Sequence, residues 1–143
     1  MSKAPLTVVT GGASGIGAAC VRHHVKRGDT VIVMDLASAW SDAKAKALGV
    51  KAFYACDVLE DDRVREVAEL IEKEHGPVDY LINSAGILQR KLPPEELPME
   101  HWDAITNIDL RGTYLCCAVF GARMAARGHG AIDRKSTRLN SSH

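Results

Sequence analysis

The 143 residues carry eighteen basic and eighteen acidic side chains, a formal net charge of zero at pH 7 and a 46% hydrophobic share, the profile of a globular domain. No basic field exists to hold nucleic acid or an anionic lipid surface, and no apolar run approaches the roughly 20 residues that span a bilayer, so neither is an expected partner. Met1 to Pro5 leads directly into the apolar stretch Leu6 to Thr10 without the long apolar core of a signal peptide, which predicts a cytoplasmic protein. Cys20, Cys56, Cys116 and Cys117 show no CxxC spacing, so free thiols that pack as small hydrophobes are expected. The adjacent His23 and His24 point in different directions from a helix, and no metal site is expected.

In chain order, Leu6 to Thr10 is short and rich in branched residues, as a strand buried on both faces requires. It runs into Thr10-Gly11-Gly12-Ala13-Ser14-Gly15-Ile16-Gly17 and a helical pattern over Gly15 to Arg27. Gly11 permits a tight turn, Gly15 lets backbone approach a phosphate with no Cβ in the way, and Gly17 allows close packing of helix on strand. The N–H groups at the start of that helix then face the phosphate charge. A second strand, Thr30 to Leu36, contains Asp35 eighteen residues beyond Gly17, near the roughly 20 expected for an acid that accepts hydrogen bonds from an adenosine ribose. Its carboxylate opposes a 2′-phosphate, and neither Ser14 nor Leu36 supplies a cation to offset it, so NAD is expected over NADP.

A helix over Asp42 to Leu48 and a strand over Lys51 to Cys56 come next. A helix over Asp61 to Glu74, with Val64, Val67, Ala68 and Ile71 at helical spacing, leads to a strand over Val78 to Asn83. The alternation predicts an α/β fold with a doubly wound parallel sheet of Rossmann type, its ligand crevice at the strands' carboxyl ends. A loop carrying Pro93, Pro94 and Pro98 precedes a long helical pattern, His101 to Arg127, closed by Gly128 and Gly130. A fifth strand is expected to begin near Gly130 and stop after Ile132, because Asp133 to His143 (DRKSTRLNSSH) is too polar for a buried central strand. One back-translation of that segment matches a common sequencing-library adapter in a single frame. Residues 133–143 are therefore expected to be non-native, and residues 1–132 to form the dinucleotide-binding unit. With strand five cut short, apolar faces are expected to stay exposed and the fragment to fold poorly.

Three segments, Thr10-Gly11-x-x-x-Gly15-Ile16-Gly17, Asp57-Val58 after strand three and Asn83-Ser84-Ala85-Gly86 after strand four, together resemble the classical short-chain dehydrogenase/reductase family. The resemblance runs from Leu6 through Ile132. Ser14 stands where the extended pattern has glycine, which argues against a nucleotide-sugar epimerase. The resemblance assigns cofactor binding to Gly11, Ser14, Gly15, Ile16, Gly17, Asp35, Leu36, Asp57, Val58, Asn83, Ala85 and Gly86. It puts Asp57 and Val58 at the adenine and the Asn83 element against the central sheet and a cofactor ribose; Ser84 departs from the family's second asparagine. Asp57 also reads as a cap for the helix near Asp61.

Within Trp102 to Gly112, the family places asparagine just before Leu-x-Gly, at a helix distortion where its backbone helps hold a water for the catalytic lysine. This chain has Asp109 there, which reads either as that catalytic position or as a helix-surface acid. The family moves a proton with a tyrosine, lowers its pKa with a lysine four residues later and orients the substrate with a serine. Tyr54, Tyr80 and Tyr114 are followed at that fourth position by Val58, Ser84 and Ala118, so no such pair is present. The implied function is an NAD-dependent oxidoreductase acting on a small-molecule alcohol or carbonyl, inactive in the chain as it stands; the other reading is a noncatalytic nucleotide-binding or interaction module. The helix holding Tyr114, Leu115, Val119, Phe120 and Met124 resembles one that pairs subunits, which implies a homodimer or homotetramer. Packing of the same stripe against its own sheet is the other reading.

Overall fold

Strands that must be covered on both sides alternate apolar residues between two faces. In β1 (Leu6–Thr10) and β2 (Thr30–Asp35), Val8, Ile32 and Met34 enter one core and Val9, Val31 and Val33 the other. The computed structural model, which describes residues 3–87 and 90–134, covers the first face with α3 (Asp61–His75) and α5 (Thr113–Arg127). The second face is covered by α1 (Gly15–Arg27) and α2 (Asp42–Leu48), through Ala18, Val21 and Leu48. With β3 (Ala52–Ala55), β4 (Tyr80–Asn83) and β5 (Ala131–Arg134), all five strands pair in parallel in the order β3-β2-β1-β4-β5. The chain leaves β1 toward one edge and returns with β4 on its other side. Strand order therefore reverses between β1 and β4, where a crevice opens at the carboxyl ends.

Helices α1 and α2 have the bounds expected from the sequence, and α3 gains only His75. Strands β3 and β4 are shorter than their apolar runs because ladder pairing ends before burial does; Cys56 and Val78 lie outside the paired residues yet remain buried. The single helix expected over His101 to Arg127 is instead three pieces: α4 (Met99–Ile105), a π turn over Thr106–Gly112, and α5. A π turn inserts one residue without altering composition, so apolar periodicity reads straight through it. On α5, Leu115, Val119, Phe120 and Met124 pack into the molecule's own core, while Tyr114 is 73% exposed.

Strand β5 corrects one expectation. It continues past Ile132 through Asp133 and Arg134, pairing with Tyr80–Asn83. Ladder pairing uses only backbone groups, and all four β5 residues are exposed on this outer strand, so polar side chains reach solvent at little cost. The remainder of the polar tail, residues 135–143, lies outside the described residues. Ile132 is 40% exposed.

At the opposite end of the sheet, Gly28 closes α1 in the left-handed conformation and delivers Asp29 into a polar knot. Asp29 Oδ2 accepts from Thr7 Oγ1 at 2.9 Å and Arg27 Nη2 at 2.8 Å, and lies 2.7 Å from His24 Nδ1. Burial by itself pushes this carboxyl up, but the hydrogen bonds from Arg27, His24 and Thr7 outweigh it and hold Asp29 below the usual carboxylate range. A carboxyl depressed in the folded state stabilises above its unfolded value, about 3.9, and that contribution disappears as pH falls through the folded value. Thermal melts across acid pH should therefore show a falling Tm below about pH 4 that Asp29→Asn flattens; an identical slope in the variant would discount this knot.

Candidate functional site

The glycine turn after β1 is shaped by what it touches. Gly11 has φ +65°, and a Cβ there would lie 2.7 Å from Ala85 Cα and N and 2.8 Å from the Ser84 carbonyl carbon. Its backbone is pressed against the turn that follows β4. Thr10 ties the same two turns together, its Oγ1 accepting from Ser84 N at 3.1 Å and Ala85 N at 3.2 Å. Gly17 lies beneath, where a Cβ would overlap the Gly11 carbonyl oxygen, so its role is the close packing of α1 on the turn. Gly15 differs: φ is +57° and nothing stands within 4 Å of its Cβ position, which leaves open space beside the backbone. The first turn of α1 holds no acid, and the Ser14 side chain makes no cap bond, so its N–H potential faces the opening uncompensated.

Thr10 stands in the glycine motif but not among the residues assigned to cofactor binding, because the motif alone does not show that its hydroxyl bonds the turn after β4. Thr10→Val is expected to lower stability by about 1–2 kcal/mol, chiefly by orphaning the Ala85 N–H. Thr10→Ser, which keeps the hydroxyl, should recover most of it in denaturant titrations.

Asp35 is more than a solvated strand end. Its Oδ2 accepts from Ala13 N at 3.0 Å and its Oδ1 from Leu36 N at 2.8 Å. An ionised carboxylate has about four lone-pair sites, so acceptor capacity remains for hydroxyl groups. Asp57 Oδ1 accepts from Leu59 N at 3.0 Å, a local turn bond, and the cap position of α3 belongs to Glu60, which makes no side-chain bond. Asp57 is therefore not the cap of α3. Cys56 beside it is a buried free thiol pushed up to about 11 by burial, and Cys116 in α5 is pushed up to about 12 for the same reason. Both stay protonated and pack.

One cleft of about 480 Å³ at the carboxyl ends gathers Gly11, Ser14, Gly15, Ile16, Asp35, Leu36, Asp57, Val58, Ala85 and Gly86. Met34, Cys56, Ser84, Ile87 and Ile108 also line it. The first four adjoin predicted residues in sequence; Ile108 reaches the cleft from the π turn, at the place where the family resemblance implies a helix distortion. Asn83 stands behind the cleft, its Nδ2 donating to Asp133 O at 3.3 Å and contacting Cys117 Sγ at 3.4 Å, so it ties β4 to β5. Its buried Oδ1 has no partner among the described residues. Asp109 sits in the π turn and accepts from Ile87 N through Oδ1 at 2.8 Å; it is an anchor for the loop after β4 rather than a free surface acid.

The cleft has the donor set for a dinucleotide: open backbone at Gly15, an acid-free helix start, and an oriented carboxylate at the next strand end. Residues 5–133 match the family model described as short chain dehydrogenase. The chain belongs to the short-chain dehydrogenase family. Its relatives include D-threitol dehydrogenase of Mycolicibacterium smegmatis, 39% identical over 89% of this chain and 50% of the relative. A Brucella melitensis 16M structure named for ribose-5-phosphate isomerase is 46% identical, with TM-score 0.84 over 93% of this chain and 51% of that one. Actinorhodin polyketide ketoreductase with NADPH, the F189W variant, is 28% identical, with TM-score 0.84 over 94% of this chain and 54% of that one. The chain thus spans about half the length of the relatives it matches. The chain carries the α/β fold and glycine turn of that family. Among the described residues, no helix is long and apolar enough to cross a membrane.

Proposed function

We propose that the intact protein is an NAD-dependent alcohol dehydrogenase or carbonyl reductase, cytoplasmic, of which this chain supplies the cofactor-binding half. Asp35 carries the NAD assignment: it stands on the cleft with its carboxylate oriented by two backbone N–H groups, where a 2′-phosphate would meet like charge. Lys44, close after it in sequence, is already engaged, its Nζ donating to Ala39 O at 2.7 Å. The bound cofactor would supply hydride transfer. The N–H groups opening α1 would hold its pyrophosphate, Asp35 the adenosine ribose, Asp57 and Val58 the adenine, and Ala85 and Gly86 its second ribose. Asn83 and Asp109 act one layer back, on β5 and on Ile87.

The D-threitol dehydrogenase relative supports a small hydroxylated or carbonyl substrate. The chain as given holds no Tyr-x-x-x-Lys, so turnover is not expected of it by itself; the second reading is a noncatalytic nucleotide-binding module. Trp102, Leu110 and Tyr114, all more than half exposed along α4, the π turn and α5, support a homodimer or homotetramer of the intact protein.

Titration of NADH and NADPH followed by cofactor fluorescence tests the reading. Saturable NADH binding at least roughly tenfold tighter than NADPH, a gap of about 1.4 kcal/mol, is expected; equal or tighter NADPH binding sinks the NAD assignment. Reading the genomic frame beyond the Ile132 codon separates the two functional readings. A serine followed by Tyr-x-x-x-Lys supports the enzyme, and an encoded stop after His143 supports the module.

A further inference from the structure

Gly112 ends the π turn with φ −63° and ψ −42°, ordinary helical values that any residue adopts. Backbone freedom therefore does not explain a glycine there, and alanine would be the better helix former. Space does explain it. A Cβ on Gly112 would lie 2.6 Å from Val58 Cγ2 and 3.2 Å from Val58 Cβ. Valine has a single side-chain torsion, with its two methyls already branching at Cβ, and Val58 is buried against the core while lining the cleft. It has no flexible end to swing aside, so an added methyl at position 112 must move Val58 bodily.

The same turn is fixed on its other side. Asp109 Oδ1 holds Ile87 N at 2.8 Å, and Ile108 lines the cleft beside Val58. The turn is thus pinned to the loop after β4 and cannot easily retreat from Val58. We propose that Gly112 is a positioning residue for cofactor binding, its missing side chain setting where Val58 stands at the adenine end of the cleft. This rests on the cofactor reading above and adds to it a residue that touches no cofactor.

Titration calorimetry with AMP and with nicotinamide mononucleotide, on wild type, Gly112→Ala, Val58→Ala and the double variant, tests it. Gly112→Ala should weaken AMP roughly tenfold, the scale of one overpacked methyl, and leave nicotinamide mononucleotide unchanged. In the double variant, AMP should bind within about twofold of Val58→Ala alone, a coupling that only contacting residues show. Unchanged AMP affinity in Gly112→Ala, or equal loss of both mononucleotides, overturns the proposal. If Gly112→Ala fails to fold, a folded double variant with restored AMP binding upholds the proposal and an unfolded one overturns it. A folded wild type that binds neither mononucleotide fails differently: it removes the cofactor reading itself, and the inference with it.

Discussion

Replacing Asp35 with alanine is expected to weaken NADH binding about 100-fold, near 3 kcal/mol, while NADPH loses far less. Hydrogen bonds to a charged acceptor contribute about 1.5–3 kcal/mol each, and a ribose diol offers two donors to one carboxylate. The same substitution frees Ala13 N, which Asp35 Oδ2 now holds at 3.0 Å, so the glycine turn loses one tie to β2 and keeps the bond from Gly11 N to Met34 O at 2.8 Å. Removing the charge also removes the repulsion toward a 2′-phosphate, and the preference between the two dinucleotides should narrow. Fluorescence titration of both cofactors on wild type, Asp35→Ala and Asp35→Asn checks this. NADH affinity that survives in the alanine variant would reduce Asp35 to a brace for Ala13.

Gly11→Ala is expected to be strongly damaging, costing about 3 kcal/mol or more of stability. A left-handed backbone costs an L-residue roughly 1–2 kcal/mol, and the new Cβ meets Ala85 and Ser84 backbone atoms at 2.7–2.8 Å, where no rotamer change relieves the overlap. Overpacking adds about 1–3 kcal/mol more, a large part of the roughly 5–15 kcal/mol that holds a domain together. Gly15→Ala provides the contrast. Its φ is +57° with nothing within 4 Å, so stability should fall by only about 1–2 kcal/mol while cofactor affinity drops steeply. Denaturant midpoints and NADH titrations on both variants separate the two roles, and equal stability losses would contradict the geometry.

Much of this molecule is legible in its sequence. Helix α1 was bounded at Gly15 and Arg27 from its local pattern, and the structure closes it there with Gly28 in the left-handed conformation. The two-faced burial of β1 and β2 followed from uninterrupted branched residues, since only a strand covered on both sides tolerates them. Ten of the twelve residues that the family resemblance assigns to the cofactor line one cleft, because the short segments that carry it all sit at strand ends.

The sequence by itself determined the alternation of strands and helices, the parallel sheet, the position of the glycine turn and the acid that follows it. These depend on residue type and spacing along the chain, which local backbone preference and burial translate directly. Tertiary structure decided the rest: that Thr10 ties two turns, that Asp109 holds Ile87, that Gly112 makes room for Val58, and that β5 runs on through Asp133 and Arg134. Each of these pairs residues far apart in sequence, or depends on a π turn that leaves the composition unchanged. Only the folded backbone brings such groups within hydrogen-bonding or van der Waals distance.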